Sequence, residues 1–155
     1  MNPKRLAIIG GGAAGFFCAA TLADAGIKDK LSITIFEQLP KPMLKLLVTG
    51  GGRCNLTNNI DDINVLVKQY PRGEKFLYSV FKQFSPKNMI EWLKFNKILT
   101  YTDSDNCVFL KSDSATTLTK MFLRKSQELE VGLTVSTIID KINYKDDKFY
   151  VKFNE

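Results

Sequence analysis

A glycine-rich turn lies between an apolar strand and a helix near the start of this chain, at residues 10–15. Residues 5–9 form a short apolar run that is typical of a buried parallel strand. Residues 13–25 place small and apolar side chains at helical spacing, and residues 31–36 predict a second strand that ends before Glu37. The order strand, turn, helix, strand predicts a β-α-β unit with a parallel sheet.

The turn fits the G-x-G-x-x-G pattern of dinucleotide-binding proteins, because it follows a predicted strand and opens a predicted helix. Gly10 permits the tight turn, Gly12 allows a pyrophosphate to approach the backbone, and Gly15 lets the helix pack on the strand. The amides at the helix start, including those of Ala13 and Ala14, offer hydrogen bonds to the phosphates. These five residues are therefore predicted cofactor contacts. A bare β-α-β unit without a ligand is the structural alternative.

Glu37 is the predicted ribose contact of this site. It lies 22 positions after Gly15, near the spacing of about 20 residues that is typical of the dinucleotide fold. Its carboxylate can accept hydrogen bonds from a ribose hydroxyl pair, and it would repel the 2′-phosphate of an NADP-type adenosine. An NADP-type adenosine is therefore disfavoured at this site.

A second glycine cluster, within residues 49–58, has the composition of a ligand-binding loop. It contains three consecutive glycines, Gly50, Gly51 and Gly52. Glycines lose much backbone entropy in a regular helix or strand, so this run favours a loop. Lys45 and Arg53 add positive charge, and Asn55 can hydrogen-bond a cofactor or the loop itself. For Arg53 two interpretations stay open, an anion or flavin contact and a salt bridge that braces the loop. Cys54 is interpreted as a small packing residue.

Composition argues against several classes of function. The chain of 155 residues has no histidine, which removes Ser-His-Asp and Cys-His mechanisms and His-bearing metal sites, and no metal site is predicted. The three cysteines are far apart in the sequence, which favours a reducing, cytoplasmic location. The net charge of +6 comes mainly from lysines scattered among acids, which favours a solvated surface over a nucleic-acid interface. The glycines of the first turn argue against a signal peptide or a membrane span over the same apolar stretch.

Both glycine clusters resemble those of one family of bacterial flavoproteins. The resemblance is carried by residues 10–15, Glu37, Lys45 and the string Thr-Gly-Gly-Gly-Arg-Cys-Asn-Leu-Thr-Asn at residues 49–58. These are similar to aminoacetone-oxidase-like and bile-acid-dehydroxylation-like FAD enzymes, which belong to the two-dinucleotide-fold flavoproteins. The resemblance extends through residues 107–115 and to the end of the chain. Four residues depart from the usual family pattern. Met43 and Leu44 stand where the family usually has Gly-Arg, Cys107 replaces an arginine, and Leu110 replaces a proline.

This resemblance implies a Rossmann-like FAD-binding α/β domain with a central parallel sheet, a β meander and a helical insertion. It implies FAD as the cofactor, hydride or electron transfer through the isoalloxazine, and a small-molecule substrate, with NAD(P)H as a candidate electron donor. Ile139 matches a family position that touches the adenine. The sequence assigns no catalytic residue. A nicotinamide dehydrogenase and a non-catalytic nucleotide-binding module or truncated remnant stay as alternatives.

The resemblance also implies that residues 1–155 form the N-terminal part of such a domain, with residues 59–130 as a largely helical insertion. In the family, the chain continues into a further strand and a substrate domain, and later returns to the cofactor fold. We therefore expect the isoalloxazine end of the site to be incomplete, unless the missing C-terminal portion is supplied as a separate chain.

The rest of the chain predicts helices, a hairpin, a third parallel strand and a second hairpin. Ser85 and Pro86 are typical of a helix start, as an N-cap followed by a proline in the first turn. The other predicted elements are helices at 75–84 and from about 113 to 129, a hairpin of 98–102 with 107–111, a strand at 131–137, and a hairpin of 139–144 with 149–153.

Overall fold

The computed structural model describes residues 3–27 and 29–154 of the chain. The chain divides into two compact units. The first unit runs up to Leu47 and resumes at Thr119, and the second unit is the continuous segment Val48–Leu118. The second unit is thus inserted in sequence between two parts of the first.

The helices and strands follow in the order β1 (Lys4–Ile9), α1 (Ala13–Asp24), β2 (Leu31–Phe36), α2 (Leu44–Val48), β3 (Thr57–Asn58), α3 (Ile63–Val67), α4 (Glu74–Gln83), α5 (Pro86–Phe95), β4 (Thr100–Thr102), β5 (Cys107–Leu110), α6 (Ala115–Glu128), β6 (Gly132–Thr134), β7 (Ile139–Lys145) and β8 (Lys148–Phe153). A short 3-10 segment with a kink covers Thr49–Gly52.

The first unit is built on a parallel sheet in the order β1-β2-β6, as the sequence predicts. Ile8 lies opposite Ile35, and Thr34 lies opposite Gly132. β2 is the central strand, and Ile35 is fully buried. β1 has β2 as its only partner among the described strands, and Ile9 is 48% exposed. The outer edge of β1 is therefore open to a further strand.

α1 packs through a face of small and aromatic side chains. The buried residues of α1 are Phe16, Ala19 and Ala20. The ring of Phe16 lies 6.3 Å from the ring of Phe122 in α6, measured between centroids. Lys125 of α6 is buried and forms an ion pair with Asp24 at the end of α1. This pairing compensates for the burial of the Lys125 ammonium group.

The third parallel strand and the second hairpin complete the first unit. β6 is shorter than the predicted strand at 131–137, because Ser136 adopts a φ of +52° and its amide donates to the Leu39 carbonyl instead. Where a β meander is expected, the described residues form only the predicted two-stranded antiparallel hairpin of β7 and β8. Phe153 at the end of β8 lies 5.1 Å from the ring of Phe36 in β2. This ring contact fixes the end of the hairpin against the parallel sheet.

The second unit contains an antiparallel sheet in the order β3-β5-β4. The predicted hairpin of residues 98–102 with 107–111 forms β4 and β5, with Tyr101 opposite Phe109. Its turn is closed by Asp103, whose carboxylate accepts hydrogen bonds from the backbone amides of Asp105 and Cys107. The local turn chemistry therefore sets the register of this hairpin.

α5 begins where the sequence predicts. The Ser85 hydroxyl accepts a hydrogen bond from the Asn88 amide, and the Asn88 side chain accepts one from the Ser85 amide. Pro86 occupies the first turn, and Leu93 is fully buried on the inner face. This reciprocal capping satisfies backbone donors that the first helical turn leaves unbonded.

The helices are short, and α6 is the longest of those described at 14 residues. Within residues 3–27 and 29–154, no helix has the length and apolar character that a membrane span requires.

Candidate functional site

The first glycine turn connects β1 to α1 and is closed by backbone contacts. Gly10 has a φ of +104°, which residues with a side chain rarely adopt, and its amide donates to the Phe36 carbonyl at 2.8 Å. A Cβ atom on Gly15 would lie 2.1 Å from the Gly10 carbonyl oxygen and 3.2 Å from a methyl group of Ile8. The structure therefore leaves no room for a side chain at Gly15.

Open space lies in front of Gly12. This residue is the N-cap of α1 and is exposed, and a Cβ atom there would have no other protein atom within 4 Å. The first turn of α1 has no acidic side chain and no capping side chain from the described part of the chain. The amides of Ala13, Ala14 and Gly15 have no acceptor within the helix, because a first helical turn leaves its N–H groups unbonded. The space and the donors fit a pyrophosphate at this point.

The carboxylate of Glu37 is buried and held by backbone amides. Its Oε2 atom accepts a hydrogen bond from the Gly11 amide at 2.8 Å, and its Oε1 atom accepts one from the Leu39 amide at 2.8 Å. A Cβ atom on Gly11 would lie 3.0 Å from the Cβ of Glu37. Gly11 occupies a variable position of the glycine pattern, so sequence reasoning missed its role in admitting Glu37. Each carboxylate oxygen keeps a further lone pair for a ribose hydroxyl.

The segment after β6 runs beside Glu37. The Glu37 amide donates to the Thr134 carbonyl at 2.8 Å, and the Thr137 amide donates to the Glu37 carbonyl at 2.9 Å. Ile139, the predicted adenine contact, begins β7 two residues later and is half-buried. The first unit thus brings the first glycine turn, Glu37 and the chain leading to Ile139 together at one end of β2.

Met43 departs from the resembled family pattern and has an unusual backbone. Its φ is +58°, a conformation that favours glycine, and glycine is the residue that the resembled family usually has here. The side chain of Met43 is buried, and its amide donates to the Gly11 carbonyl at 2.8 Å. The substitution therefore keeps a left-handed backbone that supports the first turn. Lys45 follows in α2 and is exposed.

The second glycine turn lies within the second unit and is tightly wound. The glycines that have positive φ angles are Gly50 at +60°, Gly51 at +66° and Gly52 at +87°. A Cβ atom on Gly50 would lie 2.7 Å from the Asn55 amide nitrogen and 3.2 Å from the ring of Phe109. Asn55 itself is exposed. The turn is a loop, as predicted, and its shape excludes a side chain at Gly50.

Arg53 follows this turn and is braced by an aromatic ring. The guanidinium carbon lies 4.5 Å from the ring centroid of Phe109. Within the described residues, no carboxylate lies within salt-bridge distance of Arg53, so the predicted alternative of a loop-bracing salt bridge is not observed there. Sequence reasoning missed Phe109, because nothing in the local pattern links residues that lie so far apart in the chain. The interpretation of Arg53 as an anion or flavin contact stays a prediction.

Cys54 is buried and is expected to react slowly with thiol reagents. Burial raises the pKa of its thiol above the ordinary value of 9.0, which lowers the thiolate fraction at neutral pH. The stability that the protonated Cys54 thiol contributes to the fold is therefore present at neutral pH and is lost as the pH rises above about 9. At pH 8 we expect Ellman's reagent to modify the exposed Cys18 about tenfold faster than the buried Cys54. Cys18→Ser should remove the fast phase, and a fast phase that survives would contradict this assignment.

The comparison with protein families decides which family the chain represents. Residues 4–155 match the family described as the HI0933-like protein Rossmann domain. The chain belongs to the HI0933-like Rossmann domain family. Members of this family are FAD-dependent flavoproteins, so the predicted Rossmann-like α/β fold and FAD as the cofactor are confirmed.

Two curated relatives resemble this HI0933-like chain over most of its length. The 3-dehydro-bile acid delta(4,6)-reductase of Clostridium scindens is 28% identical over 150 residues, which are 96% of this chain and 35% of that protein. The ribosomal RNA dihydrouridine synthase of Escherichia coli is 26% identical over 147 residues, which are 95% of this chain and 35% of that protein. The chain therefore spans about a third of the length of these relatives.

Solved structures show the same fold. The open conformation of a flavocytochrome c3 fumarate reductase matches with a TM-score of 0.61 at 13% identity, over 94% of this chain and 28% of that chain. THI4 of Thermovibrio ammonificans matches with a TM-score of 0.57 at 12% identity, over 96% of this chain and 45% of that chain. These similarities place the HI0933-like chain among Rossmann-like folds.

Proposed function

We propose that this chain supplies the FAD-binding portion of an oxidoreductase that reduces a carbon–carbon double bond conjugated to a carbonyl group. The observation that carries the FAD assignment is the open space in front of Gly12. It lies at the start of α1 and next to Gly11, whose amide is bonded to the buried carboxylate of Glu37. A buried acid beside free helix amides suits the ribose and pyrophosphate of an adenine dinucleotide.

The residues proposed to hold FAD come from both glycine turns. Those proposed for the adenosine and pyrophosphate end are Gly10, Gly12, Ala13, Ala14, Gly15, Glu37 and Ile139. Those proposed to meet the cofactor through amides or positive charge are Lys45, Gly50, Gly51, Gly52, Arg53 and Asn55. Bound FAD supplies hydride or electron transfer through its isoalloxazine. The chain's own contribution is to bind the phosphates with backbone amides and to orient the ribose with Glu37.

The substrate class is inferred from what the two relatives are named for. One name describes reduction of a delta(4,6)-unsaturated 3-dehydro-bile acid, and the other describes formation of dihydrouridine in ribosomal RNA. A steroid and an RNA share little except a carbon–carbon double bond in conjugation with a carbonyl group. That shared group supports a reductase for activated double bonds, with a small molecule as the proposed substrate and NAD(P)H as the proposed electron donor.

We also propose that further polypeptide completes the site. The outer edge of β1 has no partner among the described strands, and Ile9 on it is half exposed. An open, apolar strand edge of this kind favours the addition of another strand. The proposed partner is a C-terminal portion, in the same protein or as a separate chain, and residues 59–130 are proposed as a largely helical insertion. The three free cysteines support a reducing, cytoplasmic location.

The visible spectrum of the purified chain tests the cofactor assignment. We expect the chain to bind added FAD with a two-banded flavin spectrum, but to lose much of it on gel filtration, because the proposed C-terminal portion is absent from the sample. Adding the C-terminal portion of a full-length family member should restore retention. A colourless preparation that binds NAD would support a nicotinamide dehydrogenase, and one that binds neither would contradict the proposal. Stoichiometric FAD that survives gel filtration with repeated NADH-driven turnover would show that the chain needs no further polypeptide.

A further inference from the structure

Four side chains of the second unit form a connected cluster, which we call the Arg53 cluster. Its members are Arg53, Tyr101, Phe109 and Asp113. The rings of Tyr101 and Phe109 stack across β4 and β5 with centroids 5.9 Å apart and planes 28° apart. Arg53 lies over the same Phe109 ring at 4.5 Å, and the Tyr101 hydroxyl donates to Oδ1 of Asp113 at 2.8 Å. One aromatic pair therefore fixes both a cation and a hydroxyl group.

The backbone around the Arg53 cluster is equally fixed. Gly50 packs so closely on Phe109 that a Cβ atom would lie 3.2 Å from the ring, and the Arg53 amide donates to the Gly50 carbonyl at 3.3 Å. Asp113 has a φ of +49°, and its amide donates to the Leu110 carbonyl at 3.0 Å. Phe109 is 5% exposed. Arg53 and Asp113 are thus held by turns and Phe109 by burial, whereas Tyr101 is held by its strand pairing.

In the Arg53 cluster, Asp113 and Arg53 have opposite effects on the pKa of Tyr101. The hydrogen bond to Asp113, together with burial and the negative charge of Asp113, raises the pKa of the Tyr101 hydroxyl above its ordinary value of 10.0, while Arg53 acts to lower that pKa. Tyr101 therefore keeps its proton at neutral pH and donates it in the hydrogen bond to Asp113. Arg53 is exposed and has no carboxylate within 4 Å among the described residues. The Arg53 guanidinium is hydrogen-bonded to the Tyr101 hydroxyl, and its face is held by Phe109. Its other N–H groups remain available to a ligand.

We propose that Arg53, oriented by Phe109 and Tyr101, binds a ligand oxygen that gains negative charge during reduction, and that Tyr101 and Asp113 are positioning residues. This inference rests on the proposed function. Bound reduced flavin would supply the hydride for the β-carbon of a conjugated carbonyl compound and would itself be oxidised. The electron pair of the double bond would then move toward the carbonyl oxygen, and a proton from solvent would add to the α-carbon. A fixed cation at that oxygen stabilises the charge as it forms.

Two ligands can present an oxygen of this kind to Arg53: the substrate through its carbonyl group, and the reduced flavin through its pyrimidine ring. We expect the substrate. The probe is 4-nitrophenolate at pH 8, a planar anion that imitates an enolate, with nitrobenzene as its neutral counterpart, titrated into the full chain saturated with FAD. Arg53→Met should weaken 4-nitrophenolate binding at least tenfold and leave nitrobenzene binding within twofold. Arg53→Lys should weaken it several-fold, because lysine lacks the planar fork.

Arg124→Met is the matched control, because Arg124 is an exposed arginine paired with Glu128 at 3.5 Å. Its binding constants should match those of the wild type. Tyr101→Phe keeps the stacked ring and should weaken 4-nitrophenolate binding about threefold. If Asp113 and Arg53 only stabilised the fold, substituting them would leave the pKa of Tyr101, measured by absorbance at 295 nm, unchanged. We expect Asp113→Asn to lower the pKa of Tyr101 and Arg53→Met to raise it.

The outcomes separate the alternatives. If Arg53→Met selectively weakens binding of reduced FAD rather than of 4-nitrophenolate, the anionic oxygen belongs to the flavin and the role of Arg53 stands. If it weakens oxidised and reduced FAD equally and leaves 4-nitrophenolate binding unchanged, Arg53 is only the cofactor contact of the proposed function and the inference is wrong. A change of less than twofold for every ligand would contradict the inference as well. Arg53-dependent binding of 4-nitrophenolate by a protein that reduces no conjugated carbonyl compound would refute the proposed function and retain the anion site. Circular dichroism excludes unfolding, and Arg53→Lys serves if Arg53→Met does not fold.

Discussion

Gly15→Ala is expected to destabilise the first unit by about 3 kcal/mol, the upper part of the usual range for overpacking. The added methyl group would lie 2.1 Å from the carbonyl oxygen of Gly10. That oxygen belongs to the backbone, and Gly10 is also tied to β2 through the hydrogen bond from its amide to Phe36. Turn and helix would have to separate to admit the methyl group. Urea denaturation followed by far-ultraviolet circular dichroism measures the loss.

Gly12→Ala is the matched control, because the same methyl group would meet no other protein atom within 4 Å and the φ of −85° suits alanine. We expect its free energy of unfolding to stay within about 0.5 kcal/mol of the wild type. Its FAD affinity should nevertheless fall, since the methyl group would occupy the space proposed for the pyrophosphate. A stable Gly15→Ala protein, or a Gly12→Ala protein with undiminished FAD affinity, would contradict the roles assigned to the two glycines.

Glu37→Ala is expected to weaken FAD binding by about 1–3 kcal/mol, the usual cost of leaving buried polar groups without partners. The substitution would remove the proposed acceptor of the ribose hydroxyls and would also release the amides of Gly11 and Leu39, which both donate to this carboxylate. Fluorescence titration of FAD measures the affinity, and circular dichroism reports the fold.

Glu37→Gln separates the two roles of this side chain. The amide keeps the shape of the carboxylate and one acceptor oxygen, so the turn should survive better than in Glu37→Ala. The loss of negative charge should weaken discrimination against ligands with a 2′-phosphate, measured as the affinity ratio of ADP to its 2′-phosphorylated analogue. Unchanged FAD affinity in a folded Glu37→Ala protein would remove Glu37 from the proposed ribose site.

The sequence predicts best those features of the fold that local chemistry decides. The bounds of β2 are as predicted, because apolar residues that alternate with Ser32 and Thr34 run up to Phe36 and end at an acid. The start of α5 is as predicted, because Ser85 and Pro86 act within one turn of the helix. The parallel sheet follows from the order of elements, since a strand that is followed by a helix and another strand crosses over to a parallel neighbour.

The features that sequence reasoning missed depend on distant contacts or on strained backbone. α2 and α3 each have five residues, too few to show a helical period. The left-handed backbone of Met43 is imposed by burial and by its hydrogen bond to Gly11, and no local preference of methionine indicates it. The brace that Phe109 gives Arg53 joins two segments that only the folded sheet brings together. At the candidate site, the sequence pattern therefore did not indicate what these residues contact.

The insertion of the second unit between β2 and β6 also affects how fast the protein folds. Thr34 and Gly132 are paired in the parallel sheet but lie nearly a hundred positions apart in the chain. Closing such a long loop costs conformational entropy before the pairing contributes any stability, and contacts of this kind slow folding. The β4-β5 hairpin, by contrast, closes across a short turn after Thr102. We therefore expect the β2-β6 pairing to form more slowly than the β4-β5 hairpin, and the segment after β6 that runs beside Glu37 to be placed last.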